Sequence, residues 1–595
     1  MTEISAAEDT IGRPGLSMTG RRILFGALVT LTSLALLWLM AVTLSPGGGL
    51  STLDIAILIL FGFTLPWLVI GFWNATIGYL LMQFSADYEA AVVPVVSRVR
   101  GDDAITASTA ILVCVRNEMP DRVIRNLRPA LDGLVAAGSG DKFHVYVLSD
   151  TSEDTVGRAE ETGFGALADE YRGRIALTYR RRPVNTGFKA GNIRDFCERW
   201  GARHQFMLVL DTDSFMTARS MLRLVRIMQA DPKLGSLQSL VVGLPSTSAF
   251  ARIFQFGMRL GMRSYTTGSA WWQGDCGPYW GHNALIRIAP FMAHCELPAM
   301  PKGSLLGDHV LSHDQIEATF MRRAGYDVRV LPKEDGSWEE NPPTLIEFIR
   351  RDLRWCQGNM QYVNFLNLPG LKPVSRYQLV FAILMFIGSP AWIGLLILGT
   401  ALVASAQAVP DVIRVWPGLA LYLIVLVMWM SPKLATVLHV MPHEKLRATF
   451  GGMALFTLNI VVEAVFFILL MPIMWFRHTA FLIGLMFGKQ IGWVGQARDD
   501  HSVPWAVAVQ ALWPQTLLGL AVIAILAVTH PWAIPFAFFV AGGLALSVPL
   551  AVLTSLPGSG RWLTRLGIGR LPEETAPSPE LRKLGLPALD FAPGA

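Results

Sequence analysis

The segment MLVLDTDSFMT, Met207 to Thr217, places two aspartates one residue apart at the end of an apolar run with the composition of a buried strand. Two carboxylates at such a place repel each other and shed water, so the pair needs a reason, and a metal ion is one. Hard divalent ions such as magnesium or manganese take oxygen ligands. In phosphate-transferring sites they bind one or two carboxylates together with the substrate phosphates. Asp150 ends a second apolar run, FHVYVLS, and Asn117 and Glu118 follow a third, AILVCVR. One acidic residue after a strand is ordinary loop or cap chemistry. Asp150, Asp211 and Asp213 converging on one cleft are a nucleotide-site pattern.

The elements that must position these residues alternate between residues 108 and 330. AILVCV, FHVYVL, IALTY and FMLVL are separated by helical stretches near Asp121–Ala137, Ala190–Trp200 and Ser220–Ala230. That alternation predicts a mostly parallel sheet covered on both faces, with ligands beyond the carboxyl ends of its strands.

The rest of the chain is not soluble in character. Of its 595 residues, 52% are hydrophobic and 16% charged, where a soluble domain carries roughly 25% charged. Mean hydropathy is +0.42. Ile23–Leu44, Ile55–Met82 and Leu379–Ala406 exceed the roughly 20 apolar residues that span a bilayer. Val415–Met441, Gly451–Leu470, Leu512–Val528, Ala533–Ser555 and the shorter Phe476–Gly488 follow. Arg21 and Arg22 hold the N-terminus in the cytoplasm, two spans return the chain there, and the basic C-terminal end belongs there too. The span count is then even: eight if Gly451–Gly488 is a hairpin turning near Pro472, which we expect, or six if that region lies along the membrane. All five cysteines fall between Ser85 and Arg376 without disulfide-like spacing, as in a reducing compartment.

The expected organisation is a disordered segment 1–20, two transmembrane helices in 21–83, and a cytoplasmic α/β domain in 84–343. Interfacial amphipathic helices follow in 344–375, then a bundle in 376–556 and a cytoplasmic tail in 557–595, disordered from about Pro572. The net charge of +5, spread over cytoplasmic segments, suits membrane phosphates and excludes nucleic acid as the expected partner. Arg180–Arg182 has the look of solvated charge. His309 and His313 lie beside Asp308, but no further ligand at zinc spacing supports a metal site there.

The ordered motifs LSD, FKAGNI, DTDS, YWGHNALIR, LSHDQIEATFMRRAGY and RDLRWCQGN resemble a processive family 2 glycosyltransferase, of the superfamily of cellulose, chitin and hyaluronan synthases. LSHDQIEA and RWCQGN are most similar to the inner-membrane glucosyltransferases that make osmoregulated periplasmic glucans. The acceptor motif of cellulose synthases, Q-Q/R-x-R-W, stands here as Arg351, Asp352, Leu353, Arg354, Trp355, a departure that disfavours cellulose synthesis.

The resemblance implies a multi-span α-helical membrane protein with a GT-A-type glycosyltransferase domain. It would take UDP-glucose and extend a glucan, by the same resemblance β-1,2-linked, with translocation across the inner membrane. It implies that Asp150 contacts uridine, Lys189 and Asp211 help hold the nucleotide sugar, and Asp213 coordinates Mg2+ or Mn2+. Arg354 would reach the diphosphate and Trp355 would floor the acceptor sugar. Asp314 would be the catalytic base, although an aspartate before a helix with Glu317 three residues on is also a capping box. Trp280, with Trp271, Trp272 and Tyr279, is an expected acceptor contact or core filler. Glu463, amid apolar residues, is expected to line a glucan channel, and 488–500 falls where cellulose synthases carry a gating loop. A periplasmic glucan-processing protein is left as an open partner. The rivals are a cellulose- or hyaluronan-type synthase and, in another class, a catalytically inactive polysaccharide channel.

Overall fold

The computed structural model describes residues 16–492 and 497–589; the rest of the expected N-terminal segment, part of the expected gating loop and the last six residues lie outside them. Helices α1 (Met18–Thr43) and α2 (Thr52–Phe84) precede the domain. The domain is built on a seven-stranded sheet in the order β3-β2-β1-β4-β8-β6-β9. Its strands are β1 (Thr109–Val115), β2 (Phe143–Ser149), β3 (Ala176–Arg181), β4 (Phe206–Leu210), β6 (Leu234–Gln238), β8 (Ala284–Arg287) and β9 (Asp327–Val330). All pairs are parallel except those of β8, which runs antiparallel between β4 and β6. β1 and β4 are apolar along nearly their whole length because both faces are covered. A small second sheet, β5 (Phe215–Met216), β10 (Ser337–Glu339) and β7 (Val242–Gly243), stands just beyond the end of β4.

Four helices of the domain matter for the site or its anchorage: α3 (Phe188–Trp200), α4 (Ala249–Gln273), α5 (Asp314–Arg323) and α6 (Leu345–Met360). The bundle adds α7 (Pro373–Ser405), α8 (Val415–Val440), α9 (Met453–Met486), α10 (Trp505–Thr529), and α11 (Ile534–Ala545) with α12 (Ser547–Ser555); α13 (Pro557–Leu566) returns to the domain.

Among the described residues six helices are long and apolar enough to cross a membrane, and a further pair is bent by 56°. The contacts of the helix ends show how they are arranged against the domain. α1 starts at the domain, where Arg22 bonds the Gln273 carbonyl at 2.8 Å, and its far end meets the start of α8 through Arg414 N–H to the Thr43 carbonyl at 2.8 Å. Gln83 at the end of α2 meets His439 at the end of α8, 3.1 Å apart. The far ends of α7 and α10 meet through Ala406 and His530, and the bent pair α11–α12 returns to the domain side, where Ser555 bonds the Val503 N–H at 2.9 Å.

α9 behaves differently. At its start Asn459 bonds Gly567 and Gly569, just past α13. Near its other end His478 bonds Asp352 of α6, and the following Ile491 N–H bonds Gln357 of α6 at 2.8 Å. Both ends therefore meet elements on the domain side, although this helix, 34 residues and about 51 Å long, also has the length and composition of a span. Among the described residues the helices with the length and composition of spans are α1, α2, α7, α8, α9 and α10, and the bent pair brings the number to seven at most. The hairpin expected at Pro472, and with it the count of eight, is overturned. Pro472 is held inside one helix, because Phe466, Leu470, Ile473 and Met474 around it are buried and tertiary packing outweighs one missing backbone bond.

α4 seats the domain on the bundle. It crosses α2 so closely that a Cβ at Gly78 would overlap the Ser264 carbonyl and one at Gly268 the Asn74 carbonyl. Trp272 stacks on Phe25 of α1 at 4.1 Å and donates to Asn74 at 2.9 Å, and Arg21 lies over Trp271. These two tryptophans thus anchor membrane helices and lie away from the strand-end cavity.

The tail is also ordered where disorder is expected. Leu581, Leu584, Leu586 and Leu589 pack against Phe215, Val242, Leu244 and Trp338 of the small sheet. Glu573 and Glu574 are buried against Arg259 and Arg252 at 2.7 and 2.8 Å. Leucines spaced along a proline-rich segment need no regular structure to be buried when a sheet face is there to receive them.

The α2–α4 crossing has no room for a larger residue, and overpacking costs about 1–3 kcal/mol. Gly268→Leu is expected to lower the melting temperature of the detergent-solubilised protein by several degrees, whereas Gly26→Leu, on α1 with no neighbour within 4 Å, is expected to leave it unchanged.

Candidate functional site

The carboxyl ends of β1, β2 and β4 open onto one cavity of about 240 Å³. Asp211 begins a tight turn in which Ser214 N–H bonds the Asp211 carbonyl and Ser214 Oγ accepts from Asp211 N–H, both at 3.1 Å. This turn throws Asp211 and Asp213 to the same side of the strand end. Asn117, in left-handed conformation at φ 53°, accepts from the Ser152 and Glu153 N–H groups and ties the end of β1 to that of β2.

Each carboxylate here has a cation. Lys189, in the first turn of α3, reaches Asp211 and the Gly281 carbonyl. Burial pushes the Asp211 carboxyl up, but Lys189, His282 and Arg498 outweigh it and hold it down at about 2. Burial likewise disfavours charge on Lys189, and Asp211 outweighs that and raises it. Asp213 is paired with Arg498, which also approaches Glu118 at 3.4 Å. Burial pushes Glu118 up against the pull of Arg498.

Asp150 is clasped by Arg182 through two bonds, 2.6 and 2.8 Å. Arg180 pairs with Asp195 at 2.6 Å. Arg180 and Arg182 are therefore structural partners, and the expectation of solvated charge is overturned for both. β3 is an edge strand, and its basic side chains turn back onto neighbouring acids.

The start of α5 also departs from expectation. Asp314 is its first helical residue, and the N-cap residue His313 makes no side-chain cap bond. Glu317 closes no capping box and pairs with His313 at 3.0 Å. Asp314 is left to face the cavity opposite Gly281, whose φ of 83° brings the backbone close.

α6 supplies the other wall. Thr344 caps it by accepting from the Glu347 N–H at 3.3 Å. Arg351, Arg354 and Trp355 reach the cavity, with the Arg351 guanidinium 4.8 Å over the Trp355 ring. Burial and the neighbouring Arg351 push Arg354 down to about 10. Trp280 lines the same cavity, whereas Tyr279 is buried in the core.

The cavity thus brings together Asp150, Lys189, Asp211, Asp213, Asp314, Arg354, Trp355 and Trp280. Glu463 is elsewhere: it pairs with Lys433 and sits against Gly257 of α4, so it serves a helix junction and the expected channel role finds no support. Three residues the sequence did not single out also line the cavity: Glu339, which lies 3.4 Å from His282, Arg351 and Arg498. Arg351 stood inside the acceptor motif and Arg498 inside the expected gating segment 488–500; Glu339 carried no local signal. Among the described residues no three His, Cys, Asp or Glu side chains are grouped as metal ligands. Asp213 and Asp211 nevertheless fit a hard divalent ion of the kind that takes one or two carboxylates and completes its shell with substrate phosphate.

Residues 206–546 match glycosyl transferase family group 2, and residues 110–294 match glycosyl transferase family 2. The chain is 34% identical to the glucans biosynthesis glucosyltransferase H of Xylella fastidiosa, over 92% of this chain and 87% of that protein. It is 34% identical to the proteins of the same name in Pseudomonas entomophila and Ralstonia nicotianae, covering 89% and 95% of this chain. It spans only 63% of the length of the Pseudomonas protein. A mannosyltransferase of Pyrobaculum calidifontis, solved with GDP-mannose and Mn2+, superposes with TM-score 0.39 at 16% identity over 61% of this chain and 98% of its own.

Glu317 raises His313 above its ordinary 6.5 although burial opposes the charge. A histidine of the unfolded chain titrates near 6.5, so this stabilisation is full below that pH and is lost as pH rises through the higher folded value. Glu317, itself pushed up by burial, acts with the same sign. His313→Gln is expected to destabilise the protein by about 1–3 kcal/mol at about pH 6 and by less at about pH 9, as read from melting curves.

Proposed function

Because the chain belongs to glycosyl transferase family 2, in the branch of the glucans biosynthesis glucosyltransferases H, we propose that it transfers glucose from UDP-glucose to a growing β-glucan. The linkage is β-1,2, the domain faces the cytoplasm, and the product leaves through the inner membrane toward the periplasm, where a glucan-processing partner receives it. The observation that carries this reading is the meeting, around one cavity, of strand-end carboxylates, Lys189, Asp314 and the Arg354–Trp355 pair of α6.

Asp150, at the end of β2, holds the uridine. Asp211 and Lys189 orient the sugar diphosphate, and Arg354 meets its negative charge with a planar fork of donors. Asp213, with Asp211 beside it, would hold Mg2+ or Mn2+, and the ion would supply positive charge against the diphosphate. For that, Arg498 must yield Asp213. Trp355 and Trp280 give flat apolar surfaces on which the acceptor sugar stacks. Asp314 takes the proton of the acceptor hydroxyl as its oxygen bonds to the anomeric carbon and the bond to UDP breaks. A single displacement of this kind inverts the anomeric configuration.

Loss of a general base costs roughly 10²–10⁴-fold in rate. Asp314→Asn is expected to lose glucose incorporation by that factor while still binding UDP-glucose, and linkage analysis of the wild-type product is expected to give β-1,2 bonds. Incorporation at the wild-type rate would remove Asp314 as the base, and failure of the wild-type protein to bind UDP-glucose would overturn the reading. Chelation of divalent ions is expected to abolish incorporation, with recovery on adding Mg2+ or Mn2+ for wild type but not for Asp213→Asn.

A further inference from the structure

Between α6 and the last third of α9 lies a second cavity of about 510 Å³. Its charged lining is Glu347, Arg350, Arg351, Arg354, Arg477 and Lys489. The first four recur at i, i+3, i+4 and i+7 and so form one face of α6. Glu347 is engaged by Arg350 at 2.6 Å, which leaves the cavity strongly positive. Arg351 is only 8% exposed, and its Nε has no partner; the Nε of Arg477 is also buried without one. Buried donors left unpaired, beside cations that repel one another, cost free energy that an anion would recover.

Donor diphosphate does not answer this need. Arg351 and Arg354 face both cavities, but Arg477 and Lys489 line only the second. The surroundings specify the anion further. The end of α9 beyond the cavity-lining Phe481 exposes Ile483 and Met486, at 53 and 74%, and Phe487, the residue that follows the helix, is 84% exposed. Cations set beside exposed apolar side chains, at the level where the bundle meets the domain, match a phosphate joined to acyl chains.

We propose that this cavity binds the phosphate headgroup of an anionic phospholipid in the leaflet facing the domain. The headgroup sits among Arg351, Arg477 and Lys489, and its chains lie along Ile483, Met486 and Phe487. Because the same face of α6 carries Arg354 to the neighbouring cavity, the lipid braces that helix from its membrane side.

The test is lipid retention, which needs no sugar transfer, so its failure leaves the function proposed above untouched. Full-length protein in mixed micelles of phosphatidylglycerol and phosphatidylcholine is gel-filtered, and the retained lipid is measured by mass spectrometry. Wild type is expected to retain phosphatidylglycerol preferentially, the preference falling about 5-fold for each cation removed, in Lys489→Gln and then in Arg477→Gln/Lys489→Gln. Lys489 is exposed, so the single variant folds whatever the fate of the double one. Equal retention of both lipids by wild type, or an undiminished preference in Lys489→Gln, would overturn the proposal. Displacement of the lipid by millimolar inorganic phosphate would assign the cavity to a soluble phosphate and equally overturn it.

Discussion

Asp211 and Asp213 sit at the end of a strand whose residues are fully buried, and charge there must be matched or it will not be held. The matching cations come from distant parts of the chain. Lys189 arrives on α3, Arg498 on the segment between α9 and α10, and Arg351 and Arg354 on the helix that lies against the bundle. Charge balance at one strand end therefore draws a soluble-type domain and a membrane bundle onto a common cavity. Removing Lys189 or Arg498 leaves Asp211 or Asp213 without its paired cation, so the cavity depends on segments far from the strand end.

The junction itself is made of three different contacts. α4 meets α2 where two glycines let backbones approach and Trp272 stacks on Phe25. α6 is fastened to α9 and α7 through His478, which bonds both Asp352 and Ser389. The tail closes the far side by packing its leucines on the small sheet and pairing Glu573 and Glu574 with arginines of α4. α6 is thus held from the membrane while it presents Arg354 and Trp355 to the domain.

Much of this was legible from pattern alone. Apolar runs ending in Asp150 and Asp211 marked strands β2 and β4, since a strand buried on both faces has no alternation to hide it. The motif order identified Lys189, Asp314, Arg354 and Trp355, and the structure gathers all four around one cavity. Other features were not legible. The partners of Asp150 and Asp213, Arg182 and Arg498, lie 32 and 285 residues away, and no local signal links residues so separated. Pro472 suggested a turn because its local effect is unfavourable, yet the packing of the helix around it prevailed. Asp314 and Glu317 looked like a capping box, but Glu317 pairs with His313 instead, which leaves Asp314 to the cavity.

The sequence by itself determined the chemistry on offer and the medium around it. Carboxylates after buried strands, an Arg-Trp pair on an amphipathic helix and long uncharged apolar runs depend only on residue type and short-range period, which backbone geometry and hydration translate directly into local structure. The tertiary structure alone decided which charges meet, that both ends of α9 meet elements on the domain side, that Pro472 stays inside one helix, and that the tail is bound to the domain. Those outcomes depend on burial and charge pairing between segments far apart in the chain, and such energies are settled only when the whole molecule packs.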